Sequence, residues 1–161
     1  MKTDYIMEHI KMMHKVASGE QKKYYQHQLD CAKQIECVSI REVFSEKDID
    51  LIKSVINPQP KECYKNAARL AMLFPDRVEY VEGYYGVMGV LGTEHAWNRI
   101  GEKYIDITAE LVLEKNIVDE HYVQLMTMGA DEVTDIVLEE DCYTWLFGVK
   151  YVKELKYLVK T

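Results

Sequence analysis

Apolar residues near the start of the chain recur at helical spacing. Ile6, Ile10, Met13 and Ala17 follow an i, i+4, i+7 rhythm, which Gly19 interrupts. A second helix is predicted from about Glu20 to Glu36, with Tyr25, Leu29 and Ala32 on one face. Ser45 with Asp48 three residues on resembles a capping box and opens a third helix that ends before Asn57. Residues 57–60, Asn-Pro-Gln-Pro, break the pattern, because two prolines remove donors from any helix or ladder. Pro60 then suits the start of a helix in which Tyr64, Ala67, Ala68, Ala71 and Met72 form an apolar face of small side chains. Pro75-Asp76 ends it.

Beyond that point the period changes from 3.6 to 2. Strands are predicted at 77–83, at 84–92 with a glycine-rich loop, at 94–99 and at 103–108, and a further one at 121–128. Residues 131–159 read as mostly helical, with a late strand among them. Helices followed by an antiparallel meander make an α+β pattern. The 161 residues fit one domain, divided into a helical region 1–56, a core 58–108 and a completing segment 109–161.

Charge and composition then narrow the function classes. The formal net charge is −7 and the basic residues are scattered, so no basic face exists for nucleic acid or an anionic membrane. No apolar run reaches the roughly 18 residues of a membrane helix, and the first residues lack a signal-peptide core, so a cytoplasmic protein is expected. The four cysteines, Cys31, Cys37, Cys63 and Cys142, lack metal-site spacing. No metal or other cofactor is therefore expected. Cys31, Cys37 and Cys142 read as small buried hydrophobes. His9, His14, His27 and His121 read as surface or core residues without matching partners.

Cys63, His95 and Asp106 carry the chemistry. Cys63 falls in the first turn of the helix after the prolines, where free N–H groups and the positive end of the dipole favour a thiolate and can also hold an oxyanion. A hairpin turning at Ile100-Gly101 sets Arg99 opposite Glu102, Trp97 opposite Tyr104 and His95 opposite Asp106. Directly opposed residues share a face about 5 Å apart, within reach of an imidazole–carboxylate bond. A buried aspartate is costly without such a partner. Either the pair only pins two strands, or Cys63, His95 and Asp106 act as nucleophile, base and orienting acceptor.

The segments PKECYKNAARLAML, VEYVEGYY, EHAWN and KYIDIT together resemble the core of the transglutaminase-like proteins, part of the wider papain-like cysteine-peptidase fold. The matching pattern is Cys63 at a helix start, Gly83-Tyr84, His95-Ala96-Trp97, and Asp106 with Thr108. It covers residues 58–108. The family often has Gly and an apolar residue before the Cys, where this chain has Lys61-Glu62, and Pro-Thr after the Asp, where it has Ile107-Thr108. The resemblance is to a divergent branch. It implies a papain-like core, with the nucleophile helix packed on an antiparallel sheet and a helical region before it. It also implies a Cys-His-Asp triad acting on an amide bond of a protein or peptide, with Gln59 as a side-chain oxyanion donor. Trp97 and Tyr84 would wall the cleft, under a mobile rim containing the glycines at 83, 86, 89 and 92. Hydrolysis, deamidation and transfer stay open. So does a silent scaffold that binds a protein partner, since folds outlive their chemistry.

Overall fold

The structure is a computed structural model that describes residues 5–87 and 92–160. It is an α+β fold built on a five-stranded antiparallel sheet of order β1-β5-β2-β3-β4. Helix α1 spans Tyr5–Val16 and α2 Gly19–Cys31. Strand β1 is Lys33–Ile35, and helix α3, Glu46–Leu51, continues as a π turn Ile52–Ile56. Helix α4 is Cys63–Leu73. Strands β2, β3 and β4 are Val78–Val87, Thr93–Ile100 and Lys103–Ile105. A π turn at Thr108–Val112 leads to β5, Glu120–Met128, then α5, Ala130–Glu140, and α6, Leu146–Lys160.

Most of the helical expectations hold, with corrections at the boundaries. Ser45 caps α3 through the Asp48 N–H. Asn57, in the left-handed conformation at φ 48°, stops the π turn. The second helix ends at Cys31 instead of Glu36. Residues 33–35 form an edge strand on β5, a tertiary pairing that outweighs local helical preference. The two strands expected at 77–83 and 84–92 are one strand, β2, and residues 88–91 of that stretch lie outside those described. Strand β5 pairs with β1 and β2, so β2 lies between β5 and β3 in the sheet. Residues 130–140 and 146–160 are helices, with no late strand.

Strand alternation divides the interior. Tyr80 and Ala96 join Ile49, Leu70, Ala71 and Val133 in the main core beneath the helices. Val81, Trp97, Tyr104 and Tyr122 form a second core. Helix α1 seats Ile6 and Ile10 on Val123 of β5. Gly83 is required by packing: a Cβ there would lie 1.9 Å from the Val123 carbonyl oxygen and 2.8 Å from the Trp97 ring. That glycine is fixed in the sheet and belongs to no mobile rim. Among the described residues, no helix is long and apolar enough to cross a membrane.

Candidate active site

The β3–β4 turn is Gly101–Glu102, one residue later than the sequence suggested. The ladder pairs Asn98 with Ile105, Arg99 with Tyr104 and Ile100 with Lys103. Gly101 has φ 60°, which the first central position of such a two-residue turn demands and which Ile100 would resist. His95 is therefore not directly opposite Asp106. A shift of two residues preserves the face, so the two become diagonal neighbours, still within reach of long side chains. Their contact survives: His95 Nε2 lies 2.7 Å from Asp106 Oδ2.

Asp106 lies just past the end of β4 and is 1 % exposed. Its Oδ1 accepts the Ala109 N–H at 3.1 Å, which caps the following turn. Its Oδ2 also accepts the Tyr122 hydroxyl at 2.8 Å. Burial pushes the Asp106 carboxyl up, but the His95 charge and the three hydrogen bonds outweigh it and hold the pKa below the ordinary value. His95 is 8 % exposed. Burial pulls its imidazole down, yet the Asp106 charge and hydrogen bond, with Cys63 beside it, lift it from 6.5 to about 10. The cysteine contributes a side-chain hydrogen bond as well as charge. With Nε2 committed to Asp106, Nδ1 is the ring nitrogen left to face the thiol.

Cys63 is the first residue of α4 and is half-buried. The chain before it is tightly held. Lys61 has φ 63°, a left-handed conformation that sets the turn into the helix. Asn66, one turn into α4, bonds to Gln59 N at 3.2 Å and to Gln59 O at 2.9 Å. The same amide donates to Thr108 Oγ1 at 2.9 Å, which ties the start of the helix to the turn after Asp106. Asn98 donates to the Ala67 carbonyl at 2.8 Å and pins α4 to β3. The structure thus brings the three predicted chemical residues together.

The remaining candidates divide. The Gln59 side chain is exposed and donates to the Asn57 carbonyl at 3.1 Å, so it must leave that bond to serve an oxyanion. Trp97 is 1 % exposed and lies beside the imidazole, ring centres 6.1 Å apart. It supports the histidine from the core and does not face an open cleft, because alternation puts it on the same side as His95 and further into the sheet. Tyr84 is half-buried, with its hydroxyl on Gln28 at 3.1 Å and its ring against Trp145. Cys37 is buried as expected, whereas Cys31 is half-buried and Cys142 is exposed. His27 stacks on Phe147 and Tyr151, and its Nε2 lies 3.9 Å from Cys31 Sγ.

Three contributors escaped the sequence reading: Asn66, Tyr122 and Glu82. The only signal for Asn66 was a polar residue within an otherwise small, apolar helix face. Glu82 is fully buried on β2 and accepts the Tyr80 hydroxyl and the N–H groups of Leu146 at 2.8 Å and Phe147 at 2.7 Å. Burial raises its pKa to about 7 against those hydrogen bonds. No group of His, Cys, Asp and Glu able to hold a metal ion occurs among the described residues. Compared with known proteins, the chain matches no family model, no curated protein and no solved structure.

Proposed function

We propose that the protein is a cysteine-nucleophile acyl-transfer enzyme of the transglutaminase-like, papain-like type, acting on an amide bond of a protein or peptide. The observation that carries this reading is the buried His95–Asp106 pair, 2.7 Å apart, beside a half-buried thiol at a helix start. His95 takes the thiol proton through Nδ1, and Asp106 holds the imidazolium through Nε2. The thiolate attacks the carbonyl, and the Cys63 N–H donates to the oxyanion. Gln59 is the second donor once it releases Asn57. The imidazolium protonates the departing amine, leaving a thioester on Cys63. Water or a second amine then resolves the thioester with His95 as base.

A partly open thiol beside the buried His95–Asp106 pair favours the enzyme over a silent scaffold, which needs only the pair. Timed iodoacetamide labelling with peptide mapping tests this at pH 6. Cys63 is expected to label at least tenfold faster than Cys142, the exposed internal standard, and to lose that lead in His95→Ala. Equal labelling of the two thiols overturns the reading.

A further inference from the structure

Strand register surrounds His95 with aromatic rings. Gly83 of β2 pairs with His95 and Tyr85 with Thr93, while on the other edge of β2 Tyr85 pairs with Tyr122. Paired residues share a face, as do residues two apart on a strand, so Tyr85, His95, Trp97 and Tyr122 stand on one side of the sheet. Along β3, Tyr85 is level with Thr93, before His95, and Trp97 follows His95. The imidazole therefore stands between two aromatic side chains. Its centre lies 4.8 Å from that of the Tyr85 ring and 6.1 Å from that of the Trp97 ring. Tyr122 closes the group, 5.4 Å from Tyr85 and 5.0 Å from Trp97.

Trp97 and Tyr122 are each 1 % exposed, whereas Tyr85 is half-buried, so Tyr85 is the ring of this group nearest solvent. Lys115 holds it. The ammonium lies 5.6 Å from the Tyr85 ring centre, in cation–π range, and 3.7 Å from the buried carboxylate of Glu120. The Lys115 N–H donates to the Ala109 carbonyl at 3.0 Å, and the Ala109 N–H donates to Asp106 Oδ1. A closed circuit of contacts results, from Asp106 through Ala109, Lys115, Tyr85 and His95 back to Asp106. Histidine needs such a hold. Its outer torsion is broad and nearly two-fold, and a half-turn of the ring puts carbon where each nitrogen stood.

We propose that Tyr85, held by Lys115, is the positioning residue of His95: its ring bars the imidazole from turning over and bars water from the His95–Asp106 bond, so that Nε2 stays on Asp106 and Nδ1 stays free for the thiol. The inference rests on the acyl-transfer reading above and adds the group that regulates its base. Titratable groups reach His95 from every neighbouring element: Cys63 from α4, Tyr85 from β2, Tyr122 from β5 and Asp106 after β4, with Lys115 and Glu120 behind Tyr85. Burial and the Asp106 charge pull the imidazole in opposite directions, and the charge prevails. Water admitted beside the pair weakens both effects and returns the ring towards its ordinary behaviour. The Tyr85 ring also favours the imidazolium directly through its face.

Tyr85→Leu and Tyr85→Phe test it, read by NMR titration of His95 and by the pH profile of Cys63 labelling with iodoacetamide. Leucine keeps an apolar residue but not the planar face. In Tyr85→Leu the His95 titration is expected to move down by about one unit or more, and Cys63 labelling at pH 6 to slow about tenfold, since one unit of imidazole pKa is a tenfold change in the protonated ring. Tyr85→Phe keeps the ring and should stay within about twofold of the wild type in both readouts. If Tyr85→Leu does not fold by circular dichroism, Tyr85→Met, which keeps more length, takes its place. A His95 titration unchanged in the aliphatic variant, or moved as far in Tyr85→Phe, overturns the inference and leaves acyl transfer standing. A wild-type Cys63 that labels no faster than Cys142, with the His95 titration still lowered in the aliphatic variant, overturns the acyl-transfer reading and supports the hold of Tyr85 on His95.

Discussion

Asp106→Asn removes one charge and little volume from the most buried point of the site. Asparagine keeps one oxygen for the Ala109 N–H, but puts an NH2 where Asp106 Oδ2 meets Tyr122 and His95, and offers His95 no anion. The rise of the imidazole pKa from 6.5 to about 10 corresponds to roughly 5 kcal/mol favouring its protonated form. That preference already includes burial, which works in the opposite direction. Without the carboxylate, burial dominates, and the His95 pKa is expected to fall below 6.5. The thiol then loses its imidazolium partner, and its alkylation in mildly acidic solution slows. Iodoacetamide labelling of Cys63 at pH 6 should slow at least a hundredfold, and a histidine titration by NMR should show a neutral ring at pH 7.5. The same pair shapes stability. Asp106, held below its ordinary value, contributes fully above about pH 4 and loses that contribution in acid. His95 contributes fully below 6.5 and loses its contribution as the pH rises to about 10. Urea midpoints should therefore fall between pH 6.5 and 10 in the wild type and stay flatter in Asp106→Asn. An alkylation profile for Cys63 identical in the two proteins would falsify the assignment of His95 as its base.

Other substitutions test neighbouring groups. Tyr122→Phe deletes a hydroxyl donor to a buried charge and should cost about 1.5–3 kcal/mol by urea unfolding. The remaining carboxylate is then more basic, so NMR should find His95 protonated to at least as high a pH as in the wild type; a lower imidazole pKa would contradict this. Glu82, raised from 4.5 to about 7, keeps its proton longer when folded than when unfolded. Wild-type stability therefore declines by about 3 kcal/mol as pH rises from 4.5 through 7, and Glu82→Gln should remove that slope; a slope that survives would rule Glu82 out as its source. Gly83→Ala forces a Cβ into the Val123 carbonyl and should prevent folding. Gly101→Ala meets nothing within 4 Å and strains only a turn at φ 60°, so it should cost about 1 kcal/mol; equal losses in the two alanine variants would refute the packing argument.

What was legible in the sequence was largely local. Proline and small-residue patterning placed Cys63 at a helix start, because Pro58 and Pro60 bar helical pairing and the alanines allow close packing on the sheet. The His95–Asp106 contact was legible despite a misplaced turn, since a slip of two residues changes the partner and keeps the face. Strand β1 was not legible: Lys-Gln-Ile is too short to show alternation, and only β5, almost ninety residues on, makes it a strand. Glu82 looked like any polar residue in a half-exposed strand. Its burial depends on α6, whose N–H groups reach it from more than sixty residues away. Trp97 illustrates the same limit, because adjacency to His95 could not say on which side of the imidazole the solvent lies.

Backbone pairing alone does not fix the positions of Cys63, His95 and Asp106. Strand β4 ends at Ile105, so Asp106 is outside the ladder, and Cys63 belongs to a helix that meets the sheet through side chains. Two polar residues supply the missing constraints. Tyr122 reaches Asp106 from β5, the far neighbour of β2, so the carboxylate is referenced to the middle of the sheet and not to its β4 edge. Asn66 binds both the segment before Cys63 and Thr108 after Asp106, so the thiol and the carboxylate share one anchor. Each makes its bonds while buried, where an unmade hydrogen bond costs more than a made one gains. Loosening either end therefore strands polar groups at the other, and this coupling ties the start of α4 to the turn after Asp106 although no strand holds both.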